Sequence, residues 1–180
     1  MNVLETSLID DLKNPQTQEK AFRQLVSSYK ERLYWHIRRM VTSHDDADDV
    51  LQNTFIKVFR SIHNFKGDSK LYSWMYRIAT NESITFINQR AKKAGISSEE
   101  LQEQLVNNLT ADVYFEGDEI QLKLQKAIAT LPQKQQIVFN MKYFDDLKYN
   151  EMSEILDTSV GALKASYHHA VKKIETFLTD

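Results

Sequence analysis

Cysteine is absent from the chain, so it has neither a disulfide framework nor a thiolate metal site, and a reducing cytoplasm is a compatible setting. Glycine and proline are scarce, with four and two among 180 residues, while 42% of the residues are hydrophobic. That balance favours a helical globular protein over a β-sandwich or a disordered chain. No apolar run approaches the ~20 residues needed to cross a bilayer, so direct membrane insertion is not expected. Met1-Asn2-Val3-Leu4-Glu5 has neither the basic nor the apolar block of a secretory leader. Excess positive charge is lacking too: the formal net charge is −2, which by itself argues against a nucleic-acid partner.

The distribution of charge reverses that argument. From Lys57 to Lys93 the chain carries Lys57, Arg60, Lys66, Lys70, Arg77, Arg90, Lys92 and Lys93 against Asp68 and Glu82, a local balance of +6. From Ala94 to Gln121 it carries seven acidic residues and no Lys or Arg. A polyanion responds to the local field rather than to the sum.

Within the basic stretch, Phe65-Lys66-Gly67-Asp68-Ser69-Lys70-Leu71-Tyr72-Ser73-Trp74-Met75-Tyr76-Arg77-Ile78-Ala79-Thr80-Asn81 is the most informative segment. Gly67 frees the backbone, and Asp68 and Ser69 are helix-starting residues. Leu71, Trp74, Met75 and Ile78 then share one helical face, and Tyr72, Tyr76 and Arg77 point elsewhere. Trp74 and Ile78 are expected in the core. An exposed Phe65 on a basic loop, with Lys66, Lys70, Tyr72 and Asn81 after it, suits stacking on unpaired bases beside a phosphate backbone. On composition alone, a packing role fits these five residues equally well.

The rest of the chain reads as helices. Leu4, Leu8, Ile9 and Leu12 mark a short first one that stops near Asn14-Pro15, and Phe22, Leu25, Val26, Tyr29, Leu33, Ile37 and Met40 mark a long second one. The charges on its other face, Lys30, Arg32, Arg38 and Arg39, are expected in solvent. Ser43 with Asp45 and Asp46 starts a third helix that buries Ala47, Val50, Leu51, Phe55, Val58, Phe59 and Ile62. Its opposite face carries Asp49, Gln52, Asn53 and Ile56, an isoleucine set in a polar rim, as at protein interfaces. Residues 94–117 lose apolar periodicity and read mainly as an acidic linker, with one weak helical turn around Leu101, Leu105, Val106 and Leu109, and with Tyr114 and Phe115 too apolar for a pure spacer. A second domain then opens at Asp118-Glu119 with Ile120, Leu124, Ala127, Ile128 and Leu131 on one face. Pro132 begins the next helix. Tyr149 to Leu156, a three-residue break at Asp157-Thr158-Ser159, and Val160 to about Leu178 form a helix-turn-helix whose second helix presents Ala162, Lys164, Ala165, His168, His169 and Lys172 outward.

Asp48-Asp49-Val50-Leu51-Gln52-Asn53-Thr54-Phe55, the Phe65 to Asn81 segment, Leu131-Pro132, and Tyr149-Asn150-Glu151-Met152-Ser153-Glu154-Ile155-Leu156 followed by Gly161-Ala162-Leu163-Lys164-Ala165 stand in an order and spacing that closely resemble the extracytoplasmic-function (ECF) RNA polymerase sigma factors. The resemblance covers roughly residues 18–93 and 118–178. It implies an all-α protein of two small helical domains joined by an acidic linker: 1–93 for polymerase clamp docking and −10 melting, 94–117 as linker, and 118–180 with the helix-turn-helix for the −35 element. It further implies that Asp49, Gln52, Asn53 and Ile56 dock on the polymerase clamp. Phe65 and its loop would capture a flipped base of the −10 strand in a pocket walled by Ser61, Ile78 and Asn81. The Ala162 to Lys172 face would read the −35 element. The implied partners are core RNA polymerase, promoter DNA and an anti-sigma factor, with a chain that is monomeric when free. Ser166, His169, Val171 and Gln136 stand where the family often has arginine, which bears on the −35 sequence preferred.

An enzyme is not expected. No nucleophile, metal set or phosphate loop is present, no cofactor is implied, and His36, His44 and His63 lie on different elements. A dimeric helix-turn-helix repressor is the alternative; it would bind duplex operator unaided, as a sigma factor would not. A helical adaptor without a DNA role would leave the Phe65 loop unexplained.

Overall fold

The punctuation residues do separate helices. The structure, a computed structural model, describes residues 3–107 and 119–179, and among these it contains no strand. Leu109, Tyr114, Phe115 and Asp118 of the expected linker and domain start lie outside the described residues. The elements are α1 (Val3–Lys13), α2 (Gln18–Val41), α3 (His44–Ser61), a 3-10 turn (Ile62–Asn64), α4 (Leu71–Ala94), α5 (Ser98–Asn107), α6 (Glu119–Ala129), α7 (Gln133–Tyr143), α8 (Tyr149–Leu156) and α9 (Val160–Thr179). Ser43 caps α3 as its sequence suggests, its hydroxyl accepting from the Asp46 amide. Gly95, at φ +69°, closes α4 in the left-handed conformation that glycine adopts without cost.

Helix α4 begins two residues later than Asp68 and Ser69 predict, at Leu71, and its own N-cap Lys70 offers no side-chain acceptor. The carboxylate of Glu5 on α1 supplies one from 66 residues away, accepting from the Leu71 amide at 2.7 Å. A charged acceptor at a helix N-terminus satisfies an otherwise orphaned donor. Glu5→Ala is therefore expected to lower stability by about 1 kcal/mol, within the range for lost N-caps. Chemical denaturation checks this, and an unchanged midpoint would show the contact to be dispensable.

Four readings of facing are corrected. Tyr76, expected to point away from the core, is fully buried, because Arg32 meets its hydroxyl (Nε to Oη 3.1 Å) and His36 packs on its ring. Phe59, expected in the core, is 41% exposed, its ring held edge-on by Phe22. Ile120 is 81% exposed at the first turn of α6. Trp74 and Ile78 are half-buried against the core rather than enclosed by it.

The acidic segment is more ordered than a spacer. Ser97 and Glu100 form a reciprocal capping box, each side chain accepting the other's amide (3.1 and 2.7 Å), and this starts α5. Leu101 and Val106 are buried, and Gln102 donates to the Met40 carbonyl at 2.9 Å, tying α5 to the end of α2.

The two domains do not keep separate cores. Ala127, Ile128, Leu131, Phe139, Ala170 and Ile174 form a small cluster of their own, drawn from α6, the turn after it, α7 and α9. Ile137, Val138, Met141, Leu147, Met152, Ile155 and Leu163, from the second domain, join the large core made by α1 to α4. Helices α7 and α8 thus lie on α2 and α4. Lys30 and Arg32 on the basic face of α2 are exposed as expected, but Arg38 is buried and donates to the Thr42 carbonyl, and Arg39 is half-buried and paired with Asp145, against the expectation of a solvated surface.

Candidate functional site

Helix α3 divides its faces at a spacing of three and four residues. Ala47, Val50, Leu51, Thr54, Phe55 and Val58 face the core, which leaves Asp49, Gln52, Asn53 and Ile56 exposed together. Ile56 is 41% exposed, and the equally exposed Phe59 stands one turn on. The sequence reading missed Phe59 because its spacing, four residues after Phe55 and three before Ile62, fits the core face. An isoleucine and a phenylalanine at i and i+3 within a polar rim are the makings of an anchor for another protein.

The segment from Ser61 to Asn81 is arranged differently from its expected layout. Ser61 spends its hydroxyl on the Lys57 carbonyl. The Phe65 ring is 4% exposed, not free, because it lies against Trp74 with centroids 5.1 Å apart, and Lys13 holds its carbonyl at 2.6 Å. Phe65, Lys66, Trp74 and Arg77 share a shallow cleft with Glu154, which comes from α8. Trp74, Ile78 and Asn81 follow one another at helical spacing, so the stripe that starts at Phe65 runs along α4. Asn81 is exposed and lines a second cleft together with Ala162, Leu163 and Ser166 of α9. Trp74 and Arg77 were not named as site residues; their i, i+3 relation on a basic helix was the available signal.

Helix α8 lies over this surface. Glu151 takes the Lys70 ammonium at 3.0 Å, and Arg77 donates to the Glu154 carbonyl. Burial works to raise the Glu151 carboxyl, but the Tyr72 hydroxyl, the Lys148 amide and the Lys70 ammonium outweigh it and bring the carboxyl down to about 2. Burial first, and then the Glu151 charge, raise the Tyr72 phenol in turn. Arg32 stacks over the rings of Tyr72 and Tyr76 at 5.3 and 5.6 Å.

The helix-turn-helix has the expected geometry. Asp157 takes the left-handed conformation (φ +49°) at the end of α8, and Ser159 caps α9 by accepting the Ala162 amide at 3.3 Å. Leu163, Ala170 and Ile174 are buried, so Ala162, Lys164, Ala165, His168, His169 and Lys172 all face outward. Lys164 rests 5.8 Å over the Tyr149 ring. Gln136, at a position where the resemblance leads one to expect arginine, is buried and donates to the Leu131 and Ala129 carbonyls at 2.8 and 3.2 Å, fixing the turn before α7.

Comparison with known proteins agrees with this geometry. The family model for Sigma-70 region 2 matches residues 25–93, and that for Sigma-70 region 4 matches residues 121–174. The ECF RNA polymerase sigma factor SigW of Bacillus subtilis is 31% identical over 174 residues, spanning 90% of this chain and 91% of that protein. The ECF RNA polymerase sigma-E factor of Haemophilus influenzae is 30% identical over 168 residues, spanning 89% and 88%. Among solved structures, CnrH in complex with the cytosolic domain of CnrY has the same fold, with a TM-score of 0.72, 19% identity and 97% of both chains covered. The sigma factor RpoE of Bartonella quintana, in complex with the anti-sigma factor NepR, superposes with a TM-score of 0.68 at 19% identity, over 89% of this chain and 98% of that one. With region 2 ending in the basic α4, region 4 ending in the exposed face of α9, and relatives matched over nine-tenths of its length, the chain belongs to the ECF sigma factors of RNA polymerase.

Proposed function

We propose that the chain binds core RNA polymerase, brings it to promoters with −35 and −10 elements and promotes their melting. The observation that carries this reading is the exposure of two separate faces, Asp49 to Ile56 on α3 and Ala162 to Lys172 on α9, in one chain of this family. The first is the polymerase dock. The second reads the −35 element through Ala162, Lys164, Ala165, His168, His169 and Lys172. Ser61, Phe65, Lys66, Lys70, Tyr72, Ile78 and Asn81 serve the −10 element. The division of labour follows 1–93 and 118–180, with 94–117 between them. The chain works as a monomer without catalysis of its own, in the cytoplasm; no helix among the described residues is long and apolar enough to cross a membrane. The neighbours CnrH and RpoE were solved with CnrY and with the anti-sigma factor NepR, and by analogy an anti-sigma factor holds this chain in check.

Purified chain is expected to co-elute with core polymerase and to confer run-off transcription on a mapped promoter. A dimer that binds duplex operator without polymerase would overturn the reading in favour of a repressor. Within the −35 face, Lys164→Ala should weaken promoter binding on all sequences alike and flatten the salt dependence by about one unit if the ammonium meets a phosphate. Titration of the holoenzyme at several salt concentrations measures this. An unaltered slope removes Lys164 from the contacts.

A further inference from the structure

We infer that α1 is a brace for the loop between the 3-10 turn and α4: Glu5 and Lys13 hold the two ends of that loop and so position Phe65 for the −10 strand without touching DNA themselves. The inference rests on the assignment of Phe65 and its loop to the −10 element made above.

The two contacts fall at opposite ends of one helix and at opposite ends of one loop. Lys13, in the last turn of α1, donates to the Phe65 carbonyl at 2.6 Å. Glu5, in its first turn, accepts from the Leu71 amide at 2.7 Å. The signs suit the places, since the carbonyl end of a helical turn favours a cation and the amide end of a helix favours an anion. At 1.5 Å per residue, positions 5 and 13 stand about 12 Å apart along a single rod. The rod is itself fixed, because Ile9 and Leu12 are buried and α1 packs on α2 and on the 3-10 turn. Between the grips the loop bends at Gly67, whose φ is +80°. Helix α1 lies ahead of the stretch matched to region 2.

Lys13 holds the Phe65 main chain and not its ring. The Phe65 amide donates to the Ile62 carbonyl at 3.1 Å, so the backbone there is tied on both sides. Side-chain rotation is then the motion left by which the ring can quit Trp74 for a base. A loop ordered beforehand spares the complex the cost of ordering it on binding. A loop freed of both grips, and competent for about a tenth of its population, engages the strand roughly tenfold more weakly.

The chain lacks cysteine, so a spin label on Asp68→Cys, at an exposed loop position, reports loop motion in the full chain without DNA. Glu5→Leu with Lys13→Met removes both grips and is expected to give the sharp spectrum of a mobile label. Lys13→Met alone keeps the apolar stem, should loosen the label in part, and stands in if the double variant fails to fold. Glu5→Gln with Lys13→Arg keeps an acceptor for Leu71 and a donor for Phe65, and should restore the slow label. The same variants without the label are assayed with core polymerase by run-off, beside Phe65→Leu. The double variant should lose roughly tenfold on a duplex promoter and recover on a template mismatched across the −10 region, and the conservative pair should transcribe as the wild type does. Lys13→Met added to Phe65→Leu should lower the yield little further, because residues that act through one another are not additive. An unchanged label in the folded variants would overturn the brace. A loose label with an equal loss on both templates, additive with Phe65→Leu, would reduce Glu5 and Lys13 to general stability and overturn their positioning role. A loose label with normal run-off, while Phe65→Leu is defective, would overturn that role and leave the −10 assignment standing. Normal run-off from Phe65→Leu as well would overturn the −10 assignment and the inference with it. A loose label with a duplex-selective loss, rescued by the conservative pair, would support both.

Discussion

Ile56→Asp together with Gln52→Ala is expected to abolish co-elution of the chain with core RNA polymerase while its helicity and melting curve stay as they are. Both side chains are exposed on α3, and neither contributes to the buried set on its other face. The fold therefore loses little, since surface changes away from buried networks stay within about 0.5 kcal/mol. Binding loses much more. An apolar anchor at the centre of a polar rim costs about 2 kcal/mol or more when removed, and a carboxylate forced into a dry contact adds a desolvation penalty. Weakening of roughly 30- to 1,000-fold follows from about 2 to 4 kcal/mol. Phe59 supplies an internal comparison. It has the same exposure one turn further along, so Phe59→Ala should weaken binding less than the double change if Ile56 is the centre of the dock, and as much if the centre lies between them. Retained co-elution by the Ile56/Gln52 variant would mean that polymerase docks elsewhere.

Local chemistry was legible in the sequence wherever neighbours in the chain decide the outcome. The Ser43 and Ser159 caps, the Gly95 terminus and the outward face of α9 each depend on residues within a turn or two, and the structure has them as read. The misreadings share a different cause. The start of α4 depends on Glu5, 66 residues upstream. The burial of Arg39 depends on the turn after α7, whose Asp145 lies 106 residues beyond it. A basic helical face is identical in sequence whether water or a distant carboxylate covers it, so periodicity alone assigns it to solvent. The Ser97–Glu100 box of α5 was the exception. Its four-residue signature was present and was outweighed by the acidic composition around it. The exposure of the α3 and α9 faces was legible because each is a single-helix feature. The surroundings of Phe65 were not, because they include Glu154 from α8.

Phe65 is the residue at which that difference matters most, and Phe65→Leu is expected to separate its two roles. The ring is buried beside Trp74. To stack on a base it must leave that contact, which gives up about 0.5–1.5 kcal/mol of aromatic pairing. Flipping the base costs a few kcal/mol more, and stacking returns about 1–3 kcal/mol. The sum is unfavourable for the ring alone, so the role proposed for Phe65 in strand opening requires that polymerase and the basic residues around it already hold the DNA in place. Alanine would confuse this test, since truncating a buried Phe costs about 3–5 kcal/mol of stability. Leucine keeps the apolar volume at a cost below about 1.5 kcal/mol and removes only the aromatic face. Polymerase binding by Phe65→Leu should therefore match the wild type. Run-off from a duplex promoter should fall roughly five- to 150-fold, the equivalent of the lost stacking. A template mismatched across the −10 region should restore most of the yield, because its base is already unpaired. An equal defect on duplex and mismatched templates would place Phe65 in base identity or in the fold rather than in opening. Full activity on both would leave it as a packing residue under Trp74.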